Sequence, residues 1–212
     1  MRAPESWSGA RVTLGLTAAT AAAWILLTLF RLDGWAAVWG GFIPADVGIA
    51  LPVARAPVWL TPLTATFVHA NLIHLAFNLL ILVFCGRPTE GVVGPVGLVI
   101  LYVVGAYAAA AGHYLVDPAD LVPMVGASGA ISAVLGAYAM LFGRNRVKVA
   151  NPTVALWLNA LWLMAAWIAL QLIVGLTFAD IGIGIAFAAH IGGFLIGVLL
   201  ANPLLLLRYR NA

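Results

Sequence analysis

Three short polar segments of this sequence contain side chains that could act together in catalysis. Ser128 stands in the run Gly-Ala-Ser-Gly, His190 follows Ala189, and His74 lies four residues before Asn78. A serine becomes a nucleophile when a neighbouring base takes its proton. Imidazole, amide and backbone N–H groups can stabilise the oxyanion that then develops. These residue types are those of nucleophilic catalysis by Ser128, provided that the fold brings His190 to it.

The composition of the chain indicates the kind of fold that holds these residues. Of 212 residues, 64% are hydrophobic and only 8% are charged, whereas a soluble domain carries about 25% charged residues. This composition disfavours a soluble enzyme, a nucleic-acid binder and a disordered chain, and it predicts one compact polytopic membrane domain. The ten Lys and Arg residues against seven Asp and Glu include no basic stretch dense enough to follow a phosphate backbone.

Apolar runs of about 20 residues predict six transmembrane helices, at residues 11–30, 67–85, 96–115, 127–142, 154–176 and 183–207. With a cytoplasmic N-terminus and C-terminus, eight of the ten basic residues fall inside, as orientation rules require: Arg2, Arg11, Arg87, Arg144, Arg146, Lys148, Arg208 and Arg210. Residues 31–66 then form the longest external loop. No Asp or Glu falls within a predicted span.

Small residues recur at four-residue spacing on two of these helices, and such stripes let membrane helices approach closely. The stripes are Ser128, Ser132 and Gly136 on the fourth helix, and Ala189, Gly193, Gly197 and Ala201 on the sixth. Contact between them would bring Ser128 within hydrogen-bonding reach of His190. On an ideal second helix, His74 and Asn78 share a face, while His69 points about 140° away from His74.

Motifs in this order resemble those of the rhomboid family of intramembrane serine proteases. The matching patterns are H-x4-H-x3-N at His69, His74 and Asn78; G-x3-E-x3-G at Gly86, Glu90 and Gly94; G-x-S-G at Gly126, Ser128 and Gly129; and A-H-x2-G-x3-G at Ala189, His190, Gly193 and Gly197. The resemblance runs from about residue 59 to residue 197. It implies an all-α bundle of six transmembrane helices.

The resemblance also implies roles for these residues. Ser128 would be the nucleophile and His190 the base of a dyad without a third acid, with no metal and no cofactor. His74, Asn78 and the Ser128 backbone N–H would stabilise the oxyanion. Structural roles near the site fall to His69, Gly126, Gly129, Gly193, Gly197 and Glu90. Glu90 is predicted to be a cytoplasmic-side acid that pairs with Arg87 or with a helix N-terminus.

The implied substrates are single-pass membrane proteins in the lipid bilayer, cut in or near their transmembrane segment on the outer side. The Ala-, Gly- and Arg-rich composition suggests a bacterium, and hence the plasma membrane. The resemblance leaves open which protein is cut, the oligomeric state, and whether the external loop or the fifth helix gates substrate entry.

Two departures from the family pattern stand out. Some rhomboids carry a tyrosine four residues after the serine, stacked on the histidine, but this chain has Ser132 there. What orients His190 is therefore open. Trp59 is followed by Leu60, whereas many rhomboids have a Trp-Arg pair in the first loop. The tryptophans of the fifth span, Trp157, Trp162 and Trp167, are predicted to face lipid or neighbouring helices.

Other functions remain as alternatives. Polar groups among Gly-rich helices also suit a small transporter or channel, although the sequence has no internal repeat and no charge within its predicted spans. A rhomboid relative that binds membrane proteins without cutting them would lack the serine or the histidine, and both are present. A zinc protease of the H-E-x-x-H type is excluded because no histidine precedes a glutamate.

Overall fold

The computed structural model describes residues 10–49, 51–143, 151–177 and 187–210, and these residues are almost entirely helical. Its helices are α1 Arg11–Leu29, α2 Asp33–Gly40, α3 Thr61–Thr64, α4 Leu72–Ile81, α5 Arg87–Val116, α6 Ser128–Phe142, α7 Pro152–Thr177 and α8 Phe187–Tyr209. A π turn, Leu82–Gly86, joins α4 to α5. The β-structure within these ranges is one isolated bridge between Phe42 and Met124.

Among the described residues, four helical stretches are long and apolar enough to cross a membrane: Arg11–Leu29, Leu72–Val116, Thr153–Leu170 and Phe187–Tyr209. The second is 45 residues long, about twice what the hydrocarbon core requires. Its backbone departs from helical geometry at Gly94, where φ is +78° and Pro95 follows. His74 near its start and His113 near its end line one cavity, so the chain reverses between them and supplies two segments. With the shorter apolar helix α6, the described ranges form an all-α membrane bundle.

The second helix begins later than the sequence predicted. It starts at Leu72 and not at residue 67, because Asn71 caps it: the Asn71 side chain accepts a hydrogen bond of 2.8 Å from the His74 N–H. The preceding Ala65–Phe67 is a 3-10 turn, and Val68 is extended. The apolar run therefore starts before the helix does, and His69 lies outside it.

This helix also ends later than predicted. Residues 86–95 lie between the predicted spans 67–85 and 96–115, and the Gly86-Arg87-Pro88 sequence among them favours a loop. The π turn instead carries the helix through this sequence to residue 93. Pro88 occupies the first turn of the helix assigned from Arg87, after the register change of the π turn, where a proline is tolerated. The reversal falls at Gly94 because a positive φ is a conformation that glycine adopts at little cost.

Glu90 consequently lies within a helix, so the prediction that no Asp or Glu falls in a span is wrong for this residue. Its buried carboxylate accepts hydrogen bonds from the Val12 N–H at 2.9 Å, the Thr13 N–H at 2.8 Å and the Thr13 hydroxyl at 2.7 Å. These N–H groups open α1, where the helix has no backbone acceptors of its own for them. The structure thus provides Glu90 with a helix N-terminus, one of the two partners predicted for it.

The core lies where α5, α6 and α8 pack together. Small residues permit this approach: Gly136 of α6 faces the Phe194 carbonyl, and Gly197 of α8 faces the Ala133 carbonyl, each too close for a side chain. The two predicted stripes therefore do meet. The predicted start of the sixth helix, at residue 183, lies outside the described residues, as do Arg2, Arg144, Arg146 and Lys148.

The segment 31–66 is structured between its helices. Arg55 forms a 3.1 Å ion pair with Asp46 and donates a 3.0 Å hydrogen bond to the Gly41 carbonyl. Trp35 and Trp39 stack with ring centroids 5.4 Å apart. Exposed indoles of this kind suit the membrane interface.

Candidate active site

Ser128 is the first residue of α6 and follows a tight turn. Gly126 in that turn has φ +114° and donates a 2.9 Å hydrogen bond to the Ala65 carbonyl. A side chain at Gly126 would overlap the His74 imidazole. The turn thus places Ser128 at a helix N-terminus, where free N–H groups and the helix dipole favour negative charge.

The Ser128 hydroxyl meets His190 of α8, with 2.7 Å between Oγ and Nε2. Gly193, one turn after His190, packs against the Gly129 carbonyl and the side chain of Ser132, and this close helix contact sets the distance. His190 is buried, and its other ring nitrogen, Nδ1, has no hydrogen-bond partner among the described residues. When His190 carries its proton on Nδ1, Nε2 can accept the serine proton.

His74 and Asn78 lie one turn apart on α4 and face the same cavity as Ser128 and His190. The cavity has a volume of about 350 Å³. One amide N–H of Asn78 donates to the His74 carbonyl at 2.8 Å, which leaves the second N–H of the amide. The structure therefore gathers the predicted nucleophile, base and oxyanion donors around one space.

His69 does not point away from the site as predicted from an ideal helix. Because α4 starts only at Leu72, His69 lies in the preceding loop, and its ring centroid is 5.0 Å from that of His74. Its Nε2 accepts a 3.4 Å hydrogen bond from the Ala127 N–H, next to the serine. His69 is buried beneath the turn that carries Ser128.

Ser132 and Trp167 form a contact that the sequence did not reveal. The Ser132 hydroxyl donates to the Ser128 carbonyl at 2.7 Å and accepts a 2.9 Å hydrogen bond from the Trp167 indole N–H. The Trp167 ring lies 6.3 Å from the His190 ring, with their planes inclined by 65°. Trp157 and Trp162 of the same helix are exposed, whereas Trp167 packs against neighbouring helices. These are the two kinds of surroundings that were predicted for the tryptophans of this helix.

The far wall of the cavity belongs to the end of α5 and the loop after it. His113 Nε2 lies 3.0 Å from Asp120 Oδ2, and both residues line the cavity. His113 lies in the last turn of α5. Within the described ranges, no three His, Cys, Asp or Glu side chains are grouped so that they could hold a metal ion.

Comparison with known proteins identifies the family of this chain. The family model for the Rhomboid domain matches residues 56–207, which is most of the chain. The chain belongs to the rhomboid family. The match covers α3 to α8 and so includes every element of the rhomboid site described above.

Named relatives are distant. The chain is 38% identical to human Rhomboid-related protein 3 over 88 residues, which are 41% of this chain and 21% of that protein. It is 31% identical to RHOMBOID-like protein 1 of Arabidopsis thaliana over 153 residues, 72% of this chain and 36% of the relative. It is 33% identical to Rhomboid protease GlpG of Yersinia pestis (strain Pestoides F) over 135 residues, 64% and 44% respectively. The chain thus spans less than half the length of each.

Proposed function

We propose that this rhomboid is an intramembrane serine endopeptidase that uses Ser128 and His190 as a catalytic dyad. The observation that carries the proposal is the 2.7 Å contact between Ser128 Oγ and His190 Nε2. The contact stands at the wall of a cavity inside a membrane bundle. The name of the Yersinia relative, a rhomboid protease, supports the same activity.

The reaction follows from the positions of these groups. His190 Nε2 takes the proton of Ser128 Oγ while Oγ attacks the carbonyl carbon of the scissile peptide bond. The tetrahedral intermediate collapses when Nε2 gives that proton to the leaving nitrogen, so the new amino terminus departs and an acyl-enzyme remains. Water then attacks the ester with His190 again as base, which frees the carboxylate product and restores Ser128.

The oxyanion of each tetrahedral intermediate requires donors on the cavity side of Ser128. We assign this role to the His74 imidazole, the second Asn78 N–H and the backbone N–H of Ser128, which opens a helix. Donors fixed in advance in a site of low dielectric stabilise the developing charge without reorganising. His69 and Gly126 act indirectly, because they hold His74 and the turn before Ser128 in place.

The substrate class follows from where the dyad lies. Peptide bonds that reach a cavity within a membrane bundle belong to transmembrane segments or to the residues beside them, so the substrates are membrane proteins. Membership of the rhomboid family further implies proteins with a single span. The side follows from charge: basic residues gather at the ends of the spans away from the dyad, so the site opens to the extracytoplasmic face of a bacterial plasma membrane.

The test uses the purified full chain in detergent with a fluorophosphonate probe and a single-span substrate. Wild type should be labelled and should cut the substrate. Ser128→Ala should lose both activities, and His190→Ala should lose cleavage by about 10⁴-fold or more, as in soluble serine proteases. Thr28→Ala is the control, since it removes an exposed hydroxyl on α1 whose partner is Asp33. Cleavage that persists in Ser128→Ala contradicts the proposal.

A further inference from the structure

We propose that Trp167 of α7 is the positioning residue that holds the His190 imidazole in its reactive orientation. The inference rests on the proposed function, because it concerns the base of the dyad. Trp167 does not exchange a proton with the substrate; it acts through His190.

His190 needs such a residue because its ring is held by one hydrogen bond. Nε2 meets Ser128, while Nδ1 has no partner in the described part of the chain. In serine proteases with a triad, an aspartate on Nδ1 fixes both the tautomer and the orientation of the ring. Here no described carboxylate reaches Nδ1, so rotation of the ring has to be limited by packing.

Trp167 supplies that packing. The indole and imidazole centroids lie 6.3 Å apart, and an inclination of 65° makes the contact an edge-type one, an arrangement that aromatic rings favour at this separation. Trp167 is only 7% exposed, and it lines the cavity beside the dyad. Movement of the imidazole toward the indole therefore meets a large, rigid ring.

The indole is itself fixed to the helix that carries the nucleophile. Its N–H donates to Ser132 Oγ at 2.9 Å, and the Ser132 hydroxyl donates to the Ser128 carbonyl at 2.7 Å. These two hydrogen bonds set the position of the indole relative to the first turn of α6. One indole on α7 thus contacts the proposed base on α8 directly and the proposed nucleophile on α6 through Ser132.

The exposure of the other α7 tryptophans separates this role from ordinary membrane packing. Trp157 is 44% exposed and Trp162 is 73% exposed, whereas Trp167 is buried. Trp162 therefore offers a matched control, since the same residue type on the same helix lies far from the dyad contacts.

The experiment compares full-length variants in detergent: Trp167→Leu, Trp167→Phe, Ser132→Ala and the control Trp162→Leu. For each, kcat and KM for a single-span substrate, the rate constant of fluorophosphonate labelling, and the midpoint of thermal unfolding are measured. Trp167→Leu should lower kcat by about tenfold to a hundredfold, the effect of a misplaced catalytic group, with KM within about twofold. Trp167→Phe keeps a ring beside His190 and should restore most of kcat.

Ser132→Ala removes the anchor of the indole and should lower kcat by up to about tenfold, the equivalent of one neutral hydrogen bond. The substitution is small and lies on a helix that already contains several alanines. If Trp167→Leu does not fold, the kcat of Ser132→Ala therefore tests the inference in its place. Trp162→Leu should match wild type in every measurement.

Wild-type kcat in a folded Trp167→Leu, or in Ser132→Ala when Trp167→Leu does not fold, contradicts the inference and leaves the proposed dyad intact. An equal loss in Trp167→Leu and Trp162→Leu also contradicts it, because the effect would then be one of α7 as a whole. Failure of the proposed function looks different: wild type would not be labelled, or Ser128→Ala would still cleave.

Discussion

Two buried polar regions of this bundle differ in how much of their hydrogen-bonding capacity is used. Glu90 accepts three hydrogen bonds from the start of α1, and it does not line the cavity. Around Ser128, by contrast, the atoms His190 Nδ1, His74 Nδ1 and Asn78 Oδ1 have no partner among the described residues, and all three side chains line the cavity.

This difference separates polar groups that hold the fold from polar groups that serve a ligand. A buried donor or acceptor without a partner costs about 1–3 kcal/mol. The Glu90 carboxylate avoids that cost, as expected of a structural contact. The Ser128 region retains unpaired atoms next to a cavity, which is expected where substrate and water complete the hydrogen bonds.

After the proposed dyad itself, the largest effect on kcat is expected from the proposed oxyanion donors of the cavity region. Asn78→Ala and His74→Ala should each lower kcat by about 10²–10³-fold, as the loss of one oxyanion donor does in soluble serine enzymes. The thermal midpoint of each variant should stay close to that of wild type. The measurement is single-substrate kinetics with folded protein; unchanged kcat in both variants would remove the role we assign to them.

The Glu90 region should respond in the opposite way. Glu90→Ala leaves the Val12 and Thr13 N–H groups without their acceptor, and the free energy of unfolding should fall by about 2–4 kcal/mol because charge-assisted bonds to two N–H groups are lost. The kcat of the folded fraction should remain within about twofold of wild type. Asp33→Ala is the control, since the Asp33 hydrogen bond to Thr28 is exposed and surface changes stay within about 0.5 kcal/mol.

A specific loss of kcat in Glu90→Ala, with stability retained, would show that the two regions are not separate. Chemical unfolding monitored by tryptophan fluorescence, combined with kinetics on the same samples, distinguishes these results.

The smallest effect concerns the contact between α6 and α8, the helices that carry Ser128 and His190. Gly197 lies two turns beyond His190 on α8, and an added methyl group there would overlap the Ala133 carbonyl. Gly197→Ala should lower the free energy of unfolding by about 1–3 kcal/mol, the usual cost of overpacking. Gly15→Ala, in a helix with nothing within 4 Å of the added carbon, should instead raise it by up to about 1 kcal/mol. Thermal unfolding of Gly197→Ala and Gly15→Ala tests whether their stabilities change in these opposite directions.

The sequence predicted the membrane bundle, the order of its segments and the convergence of Ser128 with His190. These features depend on strong local signals: long apolar runs, and small residues at four-residue spacing. The predicted span 127–142 nearly matches the observed helix Ser128–Phe142, because Gly126 and Gly143 flank its two ends.

The errors concern places where tertiary structure overrides such signals. The apolar run predicted a helix from residue 67, but Asn71 caps the helix and it begins only at Leu72. His69 therefore lies in the loop before the helix, not on the helix. The Gly86-Arg87-Pro88 sequence predicted a loop, but the π turn continues the helix, and as a result Glu90 becomes buried. Trp167 could not be told from Trp157 and Trp162 by spacing alone, because only the contact of α7 with Ser132 and His190 distinguishes them.

The π turn Leu82–Gly86 has a consequence for how this chain tolerates length changes. A π turn holds one more residue than an α-helical turn. Deleting one residue within it would leave an ordinary α-helical turn of about the same rotation, so Asn78 would still face the cavity and Glu90 would still face α1. A deletion elsewhere in α5 before Glu90 would instead rotate Glu90 by about 100° relative to Asn78. We therefore expect a single deletion within residues 82–86 to be tolerated better than a single deletion in the regular helix beside it.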